Sequence, residues 1–297
     1  MKKILLAGEV LAETQYQVDK IPVVGEVGWV SDIKQLTSSK IVNAGRILAS
    51  KNKVDMLGVV GVDDERKKVY KDLKRYGIDS SLVYTTPKSR TGQVVVMTNK
   101  KGQSAFVLYL SAADYFGGSK LKSLKGYEYI YMATSMKLPE LYKIIKRANK
   151  DGVEVFLDFP NKQKEIDKNK LRTVDFIVPN REEAQTLLDL KIRNNTEALD
   201  AVTKLKSYTD GIAIITLDKE GCVVFGKDWN EAKHLPTDVV KVVDTTGAGD
   251  IFRGVLLSEY LTIKNLEASI KKALKIATES CKVKGVDNSI EQALEFI

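Results

Sequence analysis

Short apolar runs alternate with segments of helical periodicity over most of the chain. Lys3 to Gly8, Val54 to Gly61, Tyr129 to Ala133, Val153 to Asp158, Phe176 to Pro179 and Ile212 to Leu217 read as strands. Most of them lack the polar alternation of a half-exposed strand, so they predict burial on both faces. Helical patterns lie between them, at Asn43 to Ser50 (apolar at Ile47 and Leu48), Glu65 to Tyr76 and Leu138 to Asn149. Gly77 stands where a helix C-terminal cap belongs. This alternation predicts an α/β protein with a central, mostly parallel sheet flanked by helices.

Two regions break the rhythm. Thr14 to Ile33 and Gly92 to Leu110 carry alternating β-type patterns, as in Gln93-Val94-Val95-Val96-Met97-Thr98 and Ser104-Ala105-Phe106-Val107-Leu108. Asn99-Lys100-Lys101-Gly102 between the latter two reads as a hairpin turn. With no helix between them, these pieces predict a small antiparallel β lid, spanning about residues 14–33 and 92–110, inserted in a single domain of residues 1–297. No 20–50-residue repeat or low-complexity linker appears.

Composition narrows the chemistry. The chain has 297 residues, 43% of them apolar, which is ample for a core without disulfides. Its single histidine, His234, excludes paired-histidine chemistry and His-rich metal cages, and reads as a loop or surface residue. Cys222 and Cys281 sit in apolar surroundings and have neither zinc nor redox-pair spacing, so they read as buried small hydrophobes of a reducing compartment. The net charge of +8 reads as a lysine-rich solvated surface, because no basic block with interleaved aromatics suggests a nucleic-acid groove. The lysine-rich stretch Asn161 to Lys170 reads as a solvated helix face. Glu9 and Glu13 interrupt the opening apolar run, and no stretch reaches membrane-span length. A soluble, cytoplasmic protein is expected, with a small molecule rather than nucleic acid or membrane as its partner.

The most informative segment is Val242-Val243-Asp244-Thr245-Thr246-Gly247-Ala248-Gly249-Asp250-Ile251-Phe252-Arg253-Gly254. It follows the apolar run Asp238 to Val243, read as a strand, and precedes a helical pattern at Phe252, Val255, Leu256, Leu257 and Tyr260. Gly247, Ala248 and Gly249 therefore fall at a strand-to-helix turn where main-chain N–H groups and the helix's positive end suit a phosphate. Asp250 lies beside that site, where a carboxylate also simply favours a helix N-terminus. The segment matches neither the GK[ST] phosphate loop nor the dinucleotide fingerprint.

Asp244-Thr245-Thr246-Gly247-Ala248-Gly249-Asp250 resembles the signature of the ribokinase-like, or PfkB, carbohydrate kinases. Further resemblances follow in the family's order: Gly8-Glu9-Val10 with Pro22 and Gly25, Val60-Gly61-Val62-Asp63-Asp64-Glu65, Pro179-Asn180-Arg181-Glu182-Glu183, Thr216 with Gly221, and Lys284-Gly285. The resemblance implies a ribokinase-like fold and ATP-dependent phosphorylation of a hydroxyl on a small carbohydrate. Asp250 is then the base, and the amides of Gly247, Ala248 and Gly249 hold the charge developing on the transferred group. Asn180, Glu183, Thr216, Gly221, Gly247 and Gly249 fall on the nucleotide side, with Glu183 reaching Mg²⁺ through water. The Asn180–Glu183 spacing is equally that of a helix capping box. Asp244 and Thr246 resemble the positions of a monovalent-cation site, which implies K⁺. Arg253 either touches the acceptor or a phosphate, or pairs with a surface carboxylate. A homodimer through the lid is also expected, since exposed sheet edges seek cover.

The acceptor half departs from the family pattern. Asn43 is in place, but Ser38 and Ser39, followed by Lys40, stand where glycines are usual. Glu13 replaces an aspartate, Ala113-Asp114 stands for Ala-Asn, and Asp218 replaces a frequent glycine. Glu13, Ser38, Ser39, Asn43, Asp250 and Arg253 are the candidate acceptor residues. A sugar kinase for a ribose, fructose or sugar-acid acceptor is the first expectation. A nucleoside kinase, or a catalytically silent sugar or nucleotide sensor, are the alternatives.

Overall fold

The computed structural model describes residues 1–133, 136–159 and 166–297. The chain enters through β1 (Lys3–Ala7), forms β2 (Leu11–Val18) and β3 (Val30–Ser38), and runs straight into helix α1 (Lys40–Ala49). Strand β4 (Lys53–Val60), helix α2 (Glu65–Arg75) and the short strands β5 (Ile78–Asp79) and β6 (Val83–Thr85) follow. Strands β7 (Gly92–Thr98) and β8 (Ser104–Tyr109) return to the lid. Then come β9 (Tyr129–Ala133), α3 (Leu138–Asp151), β10 (Glu154–Asp158), β11 (Phe176–Ile177), α4 (Arg181–Leu188) and α5 (Asn195–Lys206). The chain closes with β12 (Ile212–Thr216), β13 (Cys222–Phe225), β14 (Lys233–Leu235), α6 (Ala248–Ile263), α7 (Leu266–Ser280) and α8 (Val286–Glu295).

The main sheet has the order β14-β13-β12-β11-β10-β9-β1-β4-β5, with β6 also on β4. It is parallel except at β13 and β14. Alternation in β1 shows why both faces are covered. Ile4 and Leu6 enter a core with α1, α6, α7 and α8, whereas Leu5 and Ala7 enter the opposite core with α3, α4 and α5. From central β1 the order runs to β4 on one side and β9 on the other, so loops diverge at their carboxyl ends and open a crevice there. Among the described residues, no helix is long and apolar enough to cross a membrane.

The lid is a separate sheet of order β3-β2-β7-β8. Its outer pairs are antiparallel, but β2 and β7 at its centre run parallel, because the two hairpins enter from the body in the same direction. Its first arm reaches Ser38, five residues past the boundary read from sequence. The expected turn at 99–102 is present: Asn99 Oδ1 accepts from the amides of Lys101 and Gln103, and Gly102 has φ +79°.

Three expectations need correction. Asp238 to Val243 is not a strand, and Val239 is 95% exposed. The sheet ends at β14 and offers these β-branched residues no partner, so propensity goes unrealised. His234, read as a loop or surface residue, lies partly exposed on the edge strand β14 rather than in a loop, with Nε2 2.7 Å from the Glu220 carbonyl oxygen. In the 161–170 stretch, residues 161–165 lie outside the described residues, and Lys168–Leu171 form only a 3₁₀ turn. Both cysteines are buried and unpaired with each other.

Candidate active site

Close helix packing brings the acceptor side and the catalytic helix together. A Cβ on Gly254 of α6 would stand 2.8 Å from Ile47 Cβ and 2.9 Å from the Ala44 carbonyl oxygen of α1, so only glycine allows this approach. Asn43 precedes Ala44, and Asp250 lies one turn before Gly254. Asn43 Nδ2 consequently donates to Asp250 Oδ2 at 2.9 Å. Ser38 Oγ donates to Asn43 Oδ1 at 3.3 Å, which fixes the amide's orientation and ties it to the lid. Ser39 is committed elsewhere: its hydroxyl caps α1 by accepting from Val42 N and donates to the Glu9 carbonyl. Glu13 lies on β2, buried, with Gln15 Nε2 2.5 Å from its carboxylate.

Asp250 is buried, and burial raises its pKa to about 6, against the downward pull of Asn43. It opens α6 just behind Gly247, whose φ of +83° turns the chain into the helix. The amides of Gly247, Gly249 and Asp250 have no hydrogen-bond partner among the described residues, while Ala248 N closes the turn onto the Thr245 carbonyl at 3.2 Å. The expected set of three donors therefore changes: Ala248 N is engaged, and Asp250 N joins the open groups at the helix's positive end. Asp244 buttresses the turn, accepting Thr246 N through one carboxylate oxygen and Gly285 N through the other, each at 2.9 Å.

A cavity of about 630 Å³ opens beside this turn. One wall is the strand-turn-strand from Thr216 to Gly221, and another is the exposed 237–242 segment. Ala248, Gly249 and Phe252 meet Leu274, Ala277 and Thr278 at its base. Asp218 has φ +52°, a left-handed conformation that aspartate tolerates where glycine is freest. Thr216 bridges to Asn180, which places the 180–183 turn at the same end of the sheet.

Asn180 and Glu183 do form the capping box. Asn180 Oδ1 accepts Glu183 N and Glu183 Oε2 accepts Asn180 N, both at 2.8 Å. Yet Glu183 also faces the site. Lys40 Nζ lies 2.6 Å from its Oε1, so a cation already occupies that carboxylate oxygen. Arg253 does not pair with a surface carboxylate: it is 2% exposed, its Nε lies 3.1 Å from Asp158 Oδ1, and Nη2 lies 3.6 Å from Glu183 Oε2. Burial opposes the charge of both Lys40 and Arg253, but the neighbouring carboxylates, Asp158 foremost, outweigh it and hold both pKa values up. Burial conversely raises that of Asp158. Sequence reasoning missed Asp158. Its one signal is an acidic residue closing an apolar strand at the crevice end of the sheet.

A carboxylate bonded to an amide beside open helix-start N–H groups, at the end of a cleft of nucleotide size, is what phosphoryl transfer to an alcohol requires. The chain belongs to the pfkB family of carbohydrate kinases, whose family model matches residues 38–293. It is 27% identical over 253 residues to the deoxyribokinase of Salmonella typhimurium, covering 83% of this chain and 82% of that one. It is 33% identical over 116 residues to the guanosine-inosine kinase of Exiguobacterium acetylicum, covering 38% of each. The fold is shared with Arabidopsis thaliana ribokinase complexed with ribose and ATP, at a TM-score of 0.84, 21% identity and full coverage of both chains. The protein is thus a phosphotransferase with an alcohol acceptor, a kinase of sugars or nucleosides.

Proposed function

We propose that this protein is an ATP-dependent, Mg²⁺-requiring sugar kinase acting in the cytoplasm, with Asp250 as its base. The observation that carries the reading is the Asn43–Asp250 hydrogen bond beside the open amides of Gly247 and Gly249, on the turn whose Ala248 and Gly249 line the 630 Å³ cavity. The acceptor hydroxyl gives its proton to Asp250 as its oxygen bonds to the γ-phosphorus. The bond from that phosphorus to the β-phosphate oxygen breaks, and ADP leaves with the electron pair. The Gly247, Gly249 and Asp250 amides meet charge on the moving group. Thr216, Asp218 and Gly221 border the nucleotide. Lys40 on Glu183 supports a cation at that carboxylate, so Glu183, with Asn180, would orient the water shell of Mg²⁺. When bound, Mg²⁺ neutralises phosphate charge. A K⁺ site at Asp244 and Thr246 belongs to the same reading, because the Asp244 carboxylate gathers the 244–246 and 285 backbone around itself.

One observation favours a nucleoside as the second reading. By strand register, Ser38, Glu13, Val94, Val96, Leu108 and Phe106 share one face of the lid. Phe106 and Leu108 are 54% and 59% exposed on the face that meets Asn43 through Ser38, an apolar wall suited to a base. The opposite face exposes Ile33, Val107 and Tyr109, which supports a homodimer through the lid. Coupled measurement of ADP release with ribose, deoxyribose, fructose, sugar acids and nucleosides tests the reading. Saturable turnover on a free sugar supports it, turnover on nucleosides alone selects the second reading, and ligand-induced thermal shifts without turnover on any acceptor mean a sensor.

A further inference from the structure

We propose that Arg253 is a positioning residue that locks Glu183 to the catalytic helix, so that the phosphate-side carboxylate and Asp250 keep a fixed separation. The proposal rests on the kinase reading and goes beyond it. One guanidinium reaches three elements that the chain otherwise connects only through loops. It starts on α6, one turn after Asp250. Its Nε donates to the Val178 carbonyl at 3.1 Å, just past β11, and lies 3.1 Å from Asp158 Oδ1 at the end of β10. Its Nη2 faces Glu183 Oε2 at 3.6 Å and makes no hydrogen bond among the described residues, so this approach is its principal interaction. A Cβ on Gly249 would stand 2.9 Å from Nη1, which places the guanidinium directly under the phosphate-side turn. The side chains of Arg253, Asp158 and Glu183 are 3% exposed or less, so solvent screens these contacts little.

Charge alone does not explain this arrangement. A lysine could neutralise Asp158 as a point charge, but only the planar fork spans Asp158, the Val178 carbonyl and Glu183 together. Glu183 is held on one oxygen by Lys40, a half-exposed side chain from the lid-proximal helix. Its other oxygen accepts from the Asn180 amide within its own turn, and Arg253 adds the contact that ties that turn to α6.

The test uses two variants of the full chain. Arg253→Lys keeps the charge and loses the fork. Arg253→Met combined with Asp158→Asn removes both members of the buried pair, which restores electrostatic balance without the link to Glu183. Thermal midpoints without ligand are measured alongside calorimetric affinity for a non-hydrolysable ATP analogue, with and without excess Mg²⁺, and kcat and KM for the acceptor. In both variants the Mg²⁺-dependent gain in analogue affinity should shrink by about tenfold or more, and kcat should fall by a similar factor, with acceptor KM changed far less. A wild-type Mg²⁺-dependent gain in Arg253→Lys overturns the proposal. So does a double variant that recovers both stability and that gain, because Arg253 would then serve only to offset Asp158. Should the double variant fail to fold, Arg253→Lys decides alone. If the wild-type protein itself shows no Mg²⁺-dependent binding of the analogue, it is the kinase reading that fails.

Discussion

The carboxylate of Asp250 is enclosed in the folded protein, and burial lifts its pKa from an ordinary 3.8 to about 6. The folded state therefore binds that proton more tightly than the unfolded chain does. Stability falls as pH rises from about 3.8 to about 6, and the loss persists at higher pH. At 1.36 kcal/mol per pH unit, the gap amounts to about 3 kcal/mol at most. Asp250→Asn removes this penalty while its amide oxygen can still accept from Asn43. The ligand-free variant should accordingly be more stable than wild type at pH 8, by up to about 3 kcal/mol, and should lose that advantage near pH 4. Turnover should nonetheless fall by about 10²-fold or more, with ATP binding retained. Urea unfolding at pH 8, 6 and 4, with a coupled assay on the same samples, measures both. A variant less stable at pH 8, or an advantage that ignores pH, would refute burial as the source of the shift. Turnover within a few-fold of wild type would remove Asp250 from its role as base.

The same ionisation should give kcat/KM an acidic limb with a midpoint near pH 6, rising to a plateau above it; a flat profile from pH 5 to 8 contradicts Asp250 as base. Gly247→Ala should cost about 1–3 kcal/mol, because the residue has φ +83° and a new Cβ would collide with Val286 Cγ2 on α8, and turnover should drop with it. Unchanged urea midpoints would show that the turn tolerates a side chain. By light scattering, wild type should be a dimer and Val107→Lys, on the lid face away from Ser38, a monomer; a wild-type monomer at working concentration removes the lid interface.

Most of the central sheet was legible because burial on both faces leaves an unbroken apolar signature, as in Ile4-Leu5-Leu6-Ala7 and Ile212 to Thr216. The turn at 247–250 was legible because the whole Asp244–Asp250 string, not its glycines or its aspartate singly, stands ahead of a helical pattern. Asp238 to Val243 misled, because β-branched residues signal a strand only where a neighbouring strand exists to pair with them. Arg253 was visible as a residue one turn from Asp250, but not its partners. Asp158 and Glu183 stand 95 and 70 positions earlier, and only the sheet order brings them together. The Ala248 amide was likewise unreadable, since its engagement depends on how tightly the turn closes. Ser39 looked like an acceptor residue by position, yet a serine hydroxyl at a helix start finds the backbone first.

The junction between β3 and α1 contains no slack. Ser38 ends the strand, Ser39 caps the helix, and Asn43 lies in the helix's first turn. A tilt of the lid is thus a lever on the very amide that holds the base. Any displacement of that sheet would travel through Ser38 into the Asn43 amide and so into the aim of Asp250, which makes the β3–α1 seam the mechanical link between the lid and the base.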